Sequence, residues 1–215
     1  MRYTFYLSLL LALIWGGCEP TPDRRPGDGA DDTSQPTDVV PTDPEADYIV
    51  GDDRFGHIKP GMTLVEIRDY YGEENIRKTD IPVGEGMTEP GAELYPDSRN
   101  TAAILVYPDG KVRRVSTTAP DGQWHTQGDV RVGTSLQVVE AANDAPFELA
   151  GFAWDYGGTT TDWKGGSMPE RVQLRFRQTD DSRLPDALMG DRLIMSDDEA
   201  MRAHTFEVKE IFVQF

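Results

Sequence analysis

Catalysis in this chain would have to come from three histidines, one cysteine, a suitably placed serine or some pair among 38 acidic residues. His57, His125 and His204 stand far apart, and no His-Glu-x-x-His or Cys-x-x-Cys spacing surrounds them. No local metal site is signalled. No serine sits in a Gly-x-Ser-x-Gly elbow: Gly165-Gly166-Ser167-Met168-Pro169 fails that pattern, and Ser167 reads as a turn residue. Gly157-Gly158 and Gly165-Gly166 lack the strand-to-helix setting and the lysine of a phosphate loop, which leaves them as turn glycines. The carboxylates are too numerous for one acid–base pair to stand out. The sequence assigns no catalytic residue, no metal and no cofactor, and the expectation is a protein that is not an enzyme.

Binding has more to recommend it. From Arg171 to Arg177, strand alternation puts Val172, Leu174 and Phe176 on one face and Arg171, Gln173, Arg175 and Arg177 on the other. If helices cover one side of the sheet, the second side is wet, and a cationic stripe there is suited to an anionic group of a partner or a lipid. The alternative is a solvated face paired with local acids such as Asp155 and Glu207. A second candidate is Phe152, Trp154 and Tyr156 along one side of an expected strand, with Trp163 just beyond. These aromatics are either core packing against a helix or a recognition surface.

The elements that must position these residues come from an internal repeat. Gly56–Leu64 aligns with Gly128–Leu136 at a constant offset of 72, and the matches run on to Ile67 and Val139. In each copy a short extended piece with an inward aliphatic residue (Ile58, Val130) meets a turn glycine, and a hydroxyl N-cap (Thr63, Ser135) opens a helix. Thr63 with Glu66 forms a capping box. Leu64, Ile67, Tyr70 and Tyr71 share one helical stripe, as do Leu136, Val139 and Ala142. Strands are expected over Ala102–Tyr107 and Lys111–Thr117, joined at Asp109-Gly110, and over Leu149–Tyr156, Arg171–Arg177 and Phe206–Phe215. Ser196 and Glu199 read as a capping box for a short helix ending near His204. The expected fold is α+β. Residues 48–215 form one domain of two related helix-plus-antiparallel-strand repeats, 48–126 and 127–215, making one sheet with helices packed on one face.

The Ile58-Lys59-Pro60-Gly61-Met62-Thr63 stretch through Glu66 resembles the repeat signature shared by the secreted β-lactamase inhibitor protein and the small lipoprotein of the outer-membrane barrel-assembly machinery. Asn143, Pro146-Phe147, Gly151-Phe152, Trp154 to Gly158, Trp163 and Gly165-Gly166 resemble a group of bacterial exported lipoproteins of unassigned activity. The resemblance implies the fold more than an inhibitory function, because the disulfides that pin the secreted inhibitors are absent from a chain with one cysteine.

Residues 1–17 read as a signal peptide: Arg2, an apolar stretch from Phe5 to Trp15, then small residues. That stretch is shorter than the roughly 20 residues a bilayer-crossing helix needs. Gly16-Gly17-Cys18 resembles the end of a lipobox, with Trp15 where an aliphatic residue is usual, and Cys18 is the expected lipid attachment site. The alternative is ordinary cleavage near Gly17 with Cys18 left as a free thiol. Residues 18–47 hold six prolines, nine acids and no aromatic residue, the composition of an extended, self-repelling tether. Glu19 directly after the cysteine, rather than Asp, resembles the outer-membrane sorting pattern of bacterial lipoproteins, and that resemblance implies an outer-membrane address. A net charge of −17 argues against non-specific nucleic-acid binding, which depends on cations neutralising phosphates. The expected function is a cell-envelope lipoprotein that binds or scaffolds another envelope protein and touches the membrane through its anchor alone. The rival is a small-ligand carrier or enzyme using the Trp154 to Trp163 region.

Overall fold

The computed structural model describes residues 46–215. The expected signal peptide, Cys18 and the expected linker up to residue 45 lie outside them. The expected linker boundary at 47 falls inside a short 3-10 turn, Ala46–Tyr48, whose Asp47 carboxylate meets His57 Nε2. Among the described residues no helix is long and apolar enough to cross a membrane.

Twelve strands and three short helices follow. The first half contains β1 (Ile49–Gly51), β2 (Arg54–Phe55), α1 (Leu64–Tyr71), β3 (Ile76–Gly84), β4 (Met87–Leu94), β5 (Ala102–Val106) and β6 (Val112–Thr117). The first half ends on β7 (His125–Thr126), and the second contains α2 (Leu136–Asn143), β8 (Glu148–Ala150), β9 (Thr160–Asp162), β10 (Val172–Gln178), β11 (Leu193–Met195), α3 (Glu199–Arg202) and β12 (Phe206–Gln214). The described residues are mostly β, and they hold three sheets where one was expected. The largest is antiparallel in the order β10-β12-β6-β5-β4-β3; the others are β2-β1-β7 and β11-β8-β9. The last sheet nearly continues the first, because Phe176 N–H donates to Gly158 O at 2.8 Å and Leu174 N–H to Thr160 Oγ1 at 3.0 Å.

Both expected helices form, each eight residues long and 72 residues apart. Thr63 and Glu66 make the reciprocal capping box of α1, with Thr63 N–H donating to Glu66 Oε2 at 2.8 Å. Ser135 occupies the same place before α2 without a side-chain cap. Val112 N–H donates to Met62 O and Val208 N–H to Thr134 O, so each cap is stitched to a strand of its own half, and those strands, β6 and β12, pair antiparallel. Ile67 and Tyr71 of α1 and Leu136 and Val139 of α2 enter the same core as Ile104, Val115, Leu174, Phe176, Ile211 and Val213 of the large sheet.

Three expectations need correction. The strand foreseen over Leu149–Tyr156 stops at Ala150, since Ala153 takes a left-handed conformation (φ 68°) that no strand continues. Phe152 is buried, so it does not share a face with exposed Trp154 and Tyr156. The short helix is capped by Asp198, whose carboxylate accepts from Ala200 N–H; Ser196 is buried and its hydroxyl accepts from Phe147 N–H instead. The longest hairpin, β3–β4, went unforeseen.

Candidate functional site

The six-stranded sheet has a core face and an outer face, and two bulges decide what the outer face carries. Strict alternation would place neighbouring residues on opposite sides. In β6, however, the inward residues Val112 and Val115 are three apart, and the register shifts opposite Leu105 and Val106. Arg113 and Arg114 therefore both turn outward. In β12 the inward residues Val208 and Ile211 are likewise three apart, across the shift opposite Arg175 and Phe176. Lys209 joins Glu210 on the outer side. A bulge adds one residue and bends the strand, which is how a sheet gains local charge density and curvature together.

The outer face is a trough. The β3–β4 turn has two positive-φ residues at its centre, Glu85 (φ 52°) and Gly86 (φ 72°), and its tip reaches the 153–157 turn, where Glu85 N–H donates to the Asp155 carboxylate at 2.8 Å. Gly91 permits the curl: a Cβ there would lie 2.2 Å from Ile104 O and 2.8 Å from Ile81 Cγ1. All six strands contribute to one cavity of about 380 Å³, from Ile81 on β3 to Arg175 on β10. A second cavity of similar size shares Val83 and Arg114 with it and is lined by Met87, Leu105, Tyr107 and Phe215.

Charge collects on the trough floor. Arg114 bonds Glu210 through Nη2 and lies over the Phe212 ring, 4.0 Å from its centroid, a cation–π contact. Arg175 Nη1 stands 3.5 Å from the other Glu210 oxygen, and its Nε donates to Thr159 Oγ1 at 3.2 Å. The three side chains are 10–19 % exposed. Burial lowers the Arg114 pKa from its usual value, Glu210 opposes that shift, and Arg175 and Arg113 add to it by like charge. Arg114 Nε is buried with no hydrogen-bond partner among the described residues.

The residues singled out in the sequence part company here. Arg175 belongs to the trough. Gln173 is spent on β9, donating to Thr160 O at 3.3 Å. Arg171 precedes β10, and its N–H donates to Asp52. Arg177 is paired with Glu207 at the strand's exposed end, its Nε 2.8 Å from Oε1. Trp163 is buried and donates its indole N–H to Val172 O at 2.9 Å, next to an entirely buried Asn143 that bonds Ala145 O, Trp163 O and Met168 N–H. Trp154 and Tyr156 stay about half exposed as an edge-to-face pair 5.4 Å apart, and Tyr156 borders the second cavity. Cys18 lies outside the described residues. Of the histidines, His57 stacks on Tyr70, His125 bonds Gln123 O and His204 bonds Ser182. Among the described residues no group of three or more His, Cys, Asp or Glu is placed to hold a metal.

Sequence reasoning missed Arg114, Glu210 and Lys209. Their signal was the adjacency of charges inside strands, Arg113-Arg114 and Lys209-Glu210, which a regular alternation cannot place without a bulge. Compared with protein-family models, curated proteins and solved structures, the chain matches none of them.

Proposed function

We propose that this protein is a lipid-anchored envelope module that holds a segment of another envelope protein in the trough of its six-stranded sheet. The observation that carries the reading is the trough floor, where two arginines share one carboxylate in a chain of net charge −17. Cations concentrated on one face of an acidic protein select an anionic partner and fix its register. The anchor belongs to the same proposal: Cys18 carries acyl chains, since two or more chains give stable attachment where one is marginal, and the acidic linker holds the domain off an outer-membrane surface.

The two halves are copies of one unit in this reading. Equal helices at an offset of 72, each stitched to a strand of its own half, support that, as does the motif resembling the β-lactamase inhibitor protein and the barrel-assembly lipoprotein. The rival, a carrier or enzyme centred on Trp154 to Trp163, has less to work with, because Trp163 is committed to the core.

Site-specific photo-crosslinking tests the docking face. A photoreactive residue at Ser116, in the trough, should yield an adduct with another envelope protein, whereas one at Val65, exposed on α1, should not. Equal adducts from both positions, or none from Ser116, would sink the reading. Mass spectrometry of the mature N-terminus decides the anchor: an unmodified peptide starting elsewhere than Cys18 removes it.

A further inference from the structure

Building on the docking reading above, we propose that Arg114 and Arg175 form a clamp for one carboxylate, supplied by an acidic side chain in an extended peptide segment of the partner. A neighbouring apolar side chain of that segment rests against Met87, Tyr107 and Phe215.

The charge balance of the floor points to a monoanion. Glu210 neutralises one of the two guanidiniums and leaves one positive charge over. Of the other acids lining the trough, Glu93 is paired with Arg77 at 2.6 Å, and Asp155, which accepts from the Glu85 N–H, keeps its charge. Lys209, turned outward by the β12 bulge, lines the same trough with no acid in ion-pair distance among the described residues, and its charge offsets that of Asp155, so one positive charge remains. A carboxylate matches one leftover charge, whereas a phosphate brings up to two negative charges and three strong acceptor oxygens. The donors are present as well. Each guanidinium offers five N–H groups, and among the described residues this pair spends them on Glu210 and Thr159 alone. Two guanidiniums set around one oxyanion give the forked, charge-assisted geometry that favours carboxylates.

The shape points to a segment. Space extends to both sides of Val83 and Arg114, with hydroxyls of Ser116, Thr117 and Thr118 on one side and Met87, Leu105, Tyr107 and Phe215 on the other. Met87 and Tyr107 are 55 % and 43 % exposed, large apolar area that a charged surface normally spares. A ligand that uses both sides is elongated, anionic near its middle and apolar on one flank.

The experiment is a titration of the full-length, nitrogen-labelled protein in detergent, read at the arginine Nε–Hε resonances. The probes are N-acetyl-glutamyl-leucinamide, its glutaminyl counterpart and inorganic phosphate. The glutamyl probe should shift Arg114 and Arg175 saturably and leave Arg177 unmoved, the glutaminyl probe should bind at least tenfold more weakly, and Arg175→Gln should weaken the glutamyl probe by a similar factor. Equal response to the glutaminyl probe, equal saturation by phosphate, or an equal shift at Arg177 would each overturn the clamp. If the glutamyl probe moves neither arginine while the Ser116 crosslink persists, the clamp is wrong and the docking reading stands. If the crosslink is also lost, both fall.

Discussion

Along strand β10, residues of one type sit on the same outer face and meet different fates. Arg175 is 18 % exposed and shares Glu210 with Arg114, whereas Arg177, two positions on, is 56 % exposed and pairs singly with Glu207. Opposite them, Val172, Leu174 and Phe176 are buried in the core. Alternation alone explains the inner face, because every second side chain needs only to be apolar. It does not separate the two arginines. That separation comes from neighbouring strands: the β12 bulge sets Lys209 and Glu210 beside Arg175, and Thr159 of the adjoining loop fixes its Nε. A charge becomes a site where its surroundings leave it partly dry and under-neutralised, and stays a solvated surface group where they do not.

The comparison breaks first on the inner face. Phe176→Ala should cost about 3–5 kcal/mol, read as a fall in thermal midpoint, since the ring packs at 5.6 Å on Phe147 in a closed core. A loss no larger than that of an outer-face change would mean the faces are misassigned. Glu210→Gln comes next, at roughly 2–3 kcal/mol, below the ~3–5 kcal/mol of a fully buried pair because both arginines keep some solvent contact. It should destabilise more than Arg175→Gln, which leaves Arg114 and Glu210 as a matched pair. The reverse ranking would show that the floor carries no surplus positive charge.

Alkaline pH probes the core side separately. Burial, opposed by the hydrogen bond from His57 N–H, raises the Tyr71 phenol well above its ordinary pKa of 10, and burial also pushes Tyr95 up to about 12. The folded state keeps these groups neutral while the unfolded chain ionises. Stability is thus complete below pH 10 and falls above it, by at most about 1.4 kcal/mol per pH unit for each group. Thermal midpoints from pH 9 to 11.5 should decline, and Tyr71→Phe should flatten the slope; an unchanged slope would remove Tyr71 as its source. The smallest effect belongs to Arg177→Ala, within about 0.5 kcal/mol, as for an exposed ion pair. A larger cost would make the two arginines alike.

What could be read from the residues follows the same division. Both main helices were legible from Thr63, Glu66 and Ser135, and β5, β6, β10 and β12 from apolar alternation and the Asp109-Gly110 turn. The β3–β4 hairpin was not, because Pro82, Pro90 and three glycines across it read as breakers. Pro82 is tolerated on an edge strand, and Pro90 lies just outside Gly91–Leu94, the stretch of β4 paired on both sides. The trough was hidden for a further reason. A bulge reverses strand parity without altering local composition, so Arg114 and Glu210 carried no cue beyond their charged neighbours, while Arg175 alone was found.

The most direct test of the trough as the binding face is the yield of the Ser116 crosslink across a salt series in three proteins: wild type, Arg175→Gln and Arg177→Gln. The yield should fall as ionic strength rises, since the attraction is between charges that salt screens. Arg175→Gln should lower it several-fold at an unchanged thermal midpoint, and Arg177→Gln should leave it intact. A yield indifferent to salt and equal in all three proteins would contradict the account.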